Sequence, residues 1–193
     1  MKLFETHSHL DHPDFDSDRE SLINKCFNSG IEYIINVAFN KETAFSSLEL
    51  ARKHLHIFST VGYHPHDAVD FDAETVKKLA REKKVVAIGE IGLDFFRNLS
   101  PFTVQREVFA NQAHLAVEYD LPVIVHDRDA HQECYNILKN ENVKEAVFHC
   151  FSGDIIFAQQ VLDAGWMISF TGNITYANIH LDDVIRLVPL DRF

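Results

Sequence analysis

Cysteine is scarce in this chain: Cys26, Cys134 and Cys150 are an odd number in 193 residues, with no Cys-x-x-Cys spacing. That excludes a disulfide-stapled scaffold and predicts reduced thiols in a cytoplasmic-type compartment. No apolar run approaches the ~18 residues of a membrane span, and the apolar stretch after Lys2 is too short for the core of a signal peptide. Cations are few as well. Lys and Arg total 18 against 29 Asp and Glu, a formal charge of −11, which argues against a broad surface that tracks a phosphate backbone. There is no GxGxxG fingerprint, no GxxxxGK[ST] loop and no GxSxG elbow, so dinucleotide, P-loop and serine-hydrolase chemistries lack their carriers. With 46% hydrophobic and 24% charged residues the chain has an ordinary globular balance, and its length favours one domain over residues 1–193.

What is present is alternation. Short apolar runs read as strands at 2–6, 31–38, 57–62, 85–91, 121–126, 145–149 and 166–170, separated by helix-patterned stretches. Ser17 with Glu20 predicts a capping box for the first helix and Gly30 its stop. Asp72 predicts another start, Ser100-Pro101 opens a long helix ending near Tyr119, and Ser152 or Asp154 begins one that Gly165 closes. Such a βα array predicts an α/β protein with a parallel sheet or barrel.

The strand ends carry the chemistry. The first strand ends in His7 and His9, the third in Gly62-Tyr63-His64-Pro65-His66; the fourth carries Glu90, and the fifth and sixth end in His126 and His149. A (β/α)₈ barrel gathers ligands from many strands on its C-terminal rim, whereas an open doubly wound sheet concentrates its site at one crevice. The pattern favours the barrel. His7 and His9, two residues apart, point the same way if the strand continues, as two metal ligands would. His126 and His149 close apolar strands (PVIVH, AVFH), where an unpaired buried imidazole is costly unless something binds it. Glu90 lies in VVAIGEIGLDFF, a run that accepts a carboxylate only with strong partners, and its two oxygens suit a bridge between two cations.

Other residues divide between functional and structural readings. Asp94, placed after the strand, orients a ligand or substrate or is a structural acid. Arg128 clamps phosphate with its planar fork or pairs with Asp127 or Asp129. His64 is a candidate substrate contact and His66 a loop residue. His54 and His56 precede the third strand and are expected on the opposite face as a decoy pair; His12, His114, His131 and His180 are expected to be solvated. Gly89 and Gly92 imply that a ligand shell or tight turn leaves no room for Cβ. Cys150 beside His149 is a poor nucleophile candidate, because adjacency in sequence does not supply the base geometry.

The stretches THSHLD (6–11), VGYHPH (61–66), AIGEIGLDFF (87–96), QREVFANQAHLAVEYDLPVIVHDRDA (105–130), FHCFSGD (148–154) and SFTGNITY (169–176) occur in family order. Together they resemble the TatD family of metal-dependent hydrolases, within the amidohydrolase-like barrels. The resemblance implies a TIM-like (β/α) barrel, two divalent ions (Zn, Mg or Mn) and deoxyribonuclease-type hydrolysis of DNA ends or another phosphodiester, with no membrane partner. By position it implies His7 and His9 on one ion, Glu90 as the bridge, His126 and His149 on the second, and His64 and Arg128 near the substrate phosphate. Asp94 or a later acid then positions the attacking water. Glu5 stands where the family usually has Asp. The sequence ends at VPLDRF, where the family continues into an eighth strand with an acidic ligand, so seven strands and a doubtful second ion are expected here. An ester or amide hydrolase and a catalytically incompetent metal-binding fragment are the competing readings.

Overall fold

The computed structural model describes residues 3–176 and 180–193. Its order is a plain alternation: β1 (Leu3–Ser8), α1 (Arg19–Asn28), β2 (Ile31–Asn36), α2 (Lys41–Lys53), β3 (Ile57–Val61), α3 (Ala73–Leu79) and β4 (Val85–Asp94). Then follow α4 (Phe102–Glu118), β5 (Val123–Arg128), α5 (His131–Asn140), β6 (Ala146–Phe148), α6 (Ile155–Asp163), β7 (Met167–Ile168) and α7 (Asp182–Leu187). The seven strands form one parallel sheet in sequential order.

That sheet is strongly curled. In a flat sheet, β1 and β6 would stand about 24 Å apart at about 4.8 Å per strand. Instead the rings of His7 on β1 and His149 just after β6 stack with centroids 3.4 Å apart. This is a TIM-like barrel wall, and among the described residues β1 and β7 do not pair with each other. Side-chain alternation makes two layers. Ile35, Val37, Ala87, Ile124 and Val147 form one small cluster, while their strand neighbours Ile88, Val125 and Phe148 join the larger core with Phe109, Leu138 and Trp166. Period-2 burial on both faces is why the strands read as near-continuous apolar runs.

Local signals explain most helix starts. Asp72 accepts from the backbone N–H groups of Glu74 and Thr75, and Asp154 from that of Phe157; Asn40 and Thr43 form a capping box on α2. The Ser17–Glu20 box does not form: α1 begins after Asp18, which makes no side-chain cap. Arg19 instead reaches back to the carbonyls of Leu10, Asp11 and His12, so this end of α1 is committed to holding the turn after β1. Strand limits shift too. β1 runs to Ser8 (Lys2, assigned to this strand from sequence, lies outside the described residues), β4 extends to Asp94, and β6 and β7 are shorter than expected.

Long α4 fastens two strand ends. Gln105 and Gln112, seven residues apart and therefore on one helix face, are both buried. Gln105 accepts from the Asp94 backbone N–H at 2.9 Å and donates to the Ser100 carbonyl. Gln112 accepts from the Tyr63 N–H at 2.8 Å and donates to the Tyr63 carbonyl at 3.0 Å. Backbone groups that outrun the sheet ladder are thereby satisfied inside the protein, where leaving them bare costs about 1–3 kcal/mol each.

Candidate metal centre

Glu90 projects from the middle of β4 and is 6% exposed. Its Oε2 lies 3.3 Å from His7 Nε2; its Oε1 lies 2.8 Å from His126 Nδ1 and 4.0 Å from His64 Nε2. Burial would raise its pKa, but hydrogen bonds from His126 and His7 outweigh burial and hold the carboxyl well below the ordinary range. Two groups able to hold a cation share this carboxylate: His7, Glu90 and His149, and His64, Glu90 and His126. His7, His9, Glu90, His126 and His149 thus gather on the C-terminal rim of the strands, drawn from β1, β4, β5 and the end of β6. His149 sits with His7 across Glu90, a different grouping from its expected pairing with His126.

His9 stands just outside both groups, its ring 5.1 Å from that of His7. Its Nδ1 donates to the Val37 carbonyl at 2.9 Å, which leaves Nε2 without the proton in the neutral ring. Burial and then the neighbouring His7 lower its pKa. The turn that carries it is braced by Asp11, which accepts from Asn36 Nδ2 at 2.7 Å and from the Ser46 hydroxyl.

Asp94 is fully buried and ends β4, rather than following it as expected from sequence. Its Oδ2 receives His66 Nε2 at 2.8 Å and His126 Nε2 at 3.2 Å, while Oδ1 accepts the Arg97 backbone N–H at 2.7 Å. His126 therefore lies between two carboxylates. Burial would lower its pKa, yet hydrogen bonds to Asp94 and Glu90 push it up to about 9. His64 and His149 go the other way, down to about 3, by burial first and then by His126 and His7 respectively. His64 Nδ1 accepts the His66 backbone N–H at 3.1 Å, so the neutral ring carries its proton on Nε2 and is a donor there.

The donor set fits divalent ions. Imidazoles and one shared carboxylate are the ligands such ions use. Nδ1 of His7 and Nδ1 of His149 are buried with no hydrogen-bond partner among the described residues, which is costly for polar ring atoms. Arg128 forms no ion pair with Asp127 or Asp129 among the described residues. Its guanidinium lies 3.9 Å from the centroid of Phe96.

Three sequence expectations about this region need correction, at His66, at His131 and at the glycines of β4. His66 is not a bystander in a loop: the Pro65–Asp70 turn carries it into hydrogen bonding with Asp94. The His-x-His spacing of residues 64–66 was the available signal. His131 is only partly solvated; it hydrogen-bonds Asp127 at 2.7 Å and stacks on Phe157. His54 and His56 do lie at the other end of the strands, His54 beside Glu20 and His56 beside Tyr33. Sequence reasoning missed Thr60, Gln105 and Gln112, because a buried polar side chain looks like any other until its partner is known. The close approach at Gly89 and Gly92 comes from β5, not from a ligand: added Cβ atoms would strike Ile124 and His126.

A curled parallel sheet with a histidine and carboxylate cluster on its C-terminal rim defines a metal-dependent hydrolase of the TIM-barrel type. The family model for TatD related DNase matches residues 4–193, and the chain belongs to that family. It is 37% identical over 196 residues to the uncharacterized metal-dependent hydrolase YabD of Bacillus subtilis (strain 168), covering 98% of this chain and 77% of that protein. It is 32% identical over 197 residues to the 3'-5' ssDNA/RNA exonuclease TatD of Escherichia fergusonii, covering 98% and 76%. The crystal structure of YJJV, a TatD homolog from Escherichia coli K12, superposes with a TM-score of 0.91 at 33% identity, over 98% of this chain and 76% of that one. The chain thus spans about three quarters of the length of these relatives. No helix among the described residues is long and apolar enough to cross a membrane.

Proposed function

We propose that this chain hydrolyses phosphodiester bonds at the ends of single-stranded nucleic acid, using two divalent ions gathered around Glu90. The observation that carries this reading is the sharing of one buried carboxylate, by its two oxygens, between His7 and His126. The name of the Escherichia fergusonii relative supports the substrate class. His7, His9 and His149 are assigned to one side of Glu90 and His126 to the other. Bound there, the ions supply Lewis acidity to the scissile phosphate and lower the pKa of the attacking water.

The rest is done by the chain's own residues. Asp94 is assigned as the acceptor that holds the proton of His126 on Nε2, so that Nδ1, which donates to Glu90, is the nitrogen that would turn to a cation once its own proton is lost; carboxylate–imidazole pairing of this kind fixes a ligand's tautomer and direction. His64, with its proton on Nε2, is assigned as a donor to a phosphate oxygen. Arg128 offers a second, charged donor to the strand. Gln105 keeps Asp94 in place through its backbone N–H.

The test is degradation of a 5'-labelled single-stranded oligonucleotide with Mg²⁺, Mn²⁺ or Zn²⁺ added in turn. A ladder shortened from the 3' end in wild type, absent in Glu90→Gln, is expected. An intact oligonucleotide under all three metals would remove the phosphodiesterase reading.

A further inference from the structure

Just beyond the cluster, the segment Phe95-Phe96-Arg97 leaves β4 and turns outward. The two phenylalanines part company there. Phe95 packs inward, its ring 4.7 Å from that of Phe102 and beneath the Arg106 guanidinium. Phe96 is 61% exposed, yet it lies two residues from buried Asp94. The Arg128 guanidinium covers its ring at 3.9 Å, and Arg128 is the β5 residue paired in register with Asp94.

We infer that Phe96, backed by Arg128, is a nucleobase-stacking subsite for the strand whose phosphodiester lies at the metal centre. This inference rests on the phosphodiesterase reading above and adds to it how the strand is held. Three observations support it. The ring continues directly from the site through Asp94 and the β4–β5 pairing. The overall charge of −11 disfavours a broad cationic track for the strand. Grip without a cationic track falls to stacking, which tolerates any base because every base presents a π-face. Finally, the Phe96–Arg128 contact holds a planar cation, whose N–H edges have no hydrogen-bond partner among the described residues, beside an aromatic face for the base.

The experiment pairs a protein change with a substrate change. Phe96→Ala, Phe96→Leu and Phe96→Trp are compared with wild type on an oligonucleotide and on the same oligonucleotide abasic at its last two 3' positions. Phe96→Ala and Phe96→Leu should raise KM for the normal strand by roughly ten-fold, the effect of losing one stacked base, with kcat little changed. Phe96→Trp should restore it. On the abasic strand, wild type and Phe96→Ala should be alike, because the ring has nothing to stack on. Equal KM for wild type and both truncations on the normal strand, or an undiminished Phe96 effect on the abasic strand, overturns the subsite. A binding arm uses an oligonucleotide with 2-aminopurine at its 3' end, whose fluorescence stacking quenches. If wild type cuts no strand but quenches the probe in a Phe96-dependent way, the phosphodiesterase reading fails and the subsite stands. If it neither cuts nor quenches, both fail.

Discussion

Replacing Gly92 by alanine tests the geometry of the site without touching any ligand. Gly92 lies in β4 opposite His126, with φ +147°. A Cβ there would stand 1.9 Å from the His126 carbonyl oxygen, 2.8 Å from its carbon and 3.0 Å from its nitrogen. All three neighbours are backbone, so no rotamer change relieves the contact; β5 must retreat from β4 by roughly 1 Å, which is overpacking at a cost of about 1–3 kcal/mol. The φ value adds about 1–3 kcal/mol for a residue with a side chain. Together these come to about 2–6 kcal/mol against a total stability of about 5–15 kcal/mol. For a chain of this length the melting temperature should fall roughly 5–20 °C, at about 2–4 °C per kcal/mol. The displaced residue is His126 itself, and sites of this kind tolerate only about 0.5 Å of misplacement. Metal affinity should therefore fall with stability. Urea titration followed by the fluorescence of Trp166, the chain's single tryptophan and a buried one, gives the first quantity. Isothermal titration with Mn²⁺ gives the second. Gly172→Ala is the control, since a Cβ there meets nothing within 4 Å. A Gly92→Ala protein with the wild-type urea midpoint and wild-type Mn²⁺ affinity would refute the argument.

Three further outcomes are expected. With free ion near 100 times Kd, bound metal stabilises the fold by about 2.7 kcal/mol, so EDTA should lower the wild-type melting temperature measurably and leave Glu90→Gln unmoved; an equal EDTA effect on both would place the ions elsewhere. Thr60 accepts the Ala38 backbone N–H at 2.9 Å and donates to the Gly89 carbonyl, directly before Glu90. Thr60→Val strands both groups and should cost about 2 kcal/mol in a chemical-unfolding titration and weaken Mn²⁺ binding, whereas Thr60→Ser should be close to wild type. His131 has a raised pKa, chiefly through its hydrogen bond to Asp127. A group whose pKa rises on folding stabilises below its unfolded value of 6.5 and loses that contribution as pH climbs through the folded value. The stability gap between wild type and His131→Gln should thus be widest below pH 6.5 and close in alkali; a gap that grows with pH contradicts the Asp127 contact.

The sequence by itself determined the parallel α/β array and the polarity of its strands. Both follow from local rules: apolar runs of strand length, the caps at Asp72 and Asp154, and histidines concentrated after the runs instead of before them. Its polarity assignment also separated His54 and His56 from the rim. Only the tertiary structure decided how the rim residues meet. The curl that stacks His7 on His149 is a property of the whole sheet, and no local pattern encodes which imidazole faces which oxygen of Glu90. His66 was misread for the same reason, since it takes its role from a partner 28 residues away. Gly92 shows the division at one position: a glycine in a strand signals a close approach, but that the approaching atom is the His126 carbonyl, and not a ligand, depends on the register of β4 against β5. Local propensity acts through neighbours in sequence, whereas the geometry of the rim cluster is set by contacts that exist only once the sheet has curled.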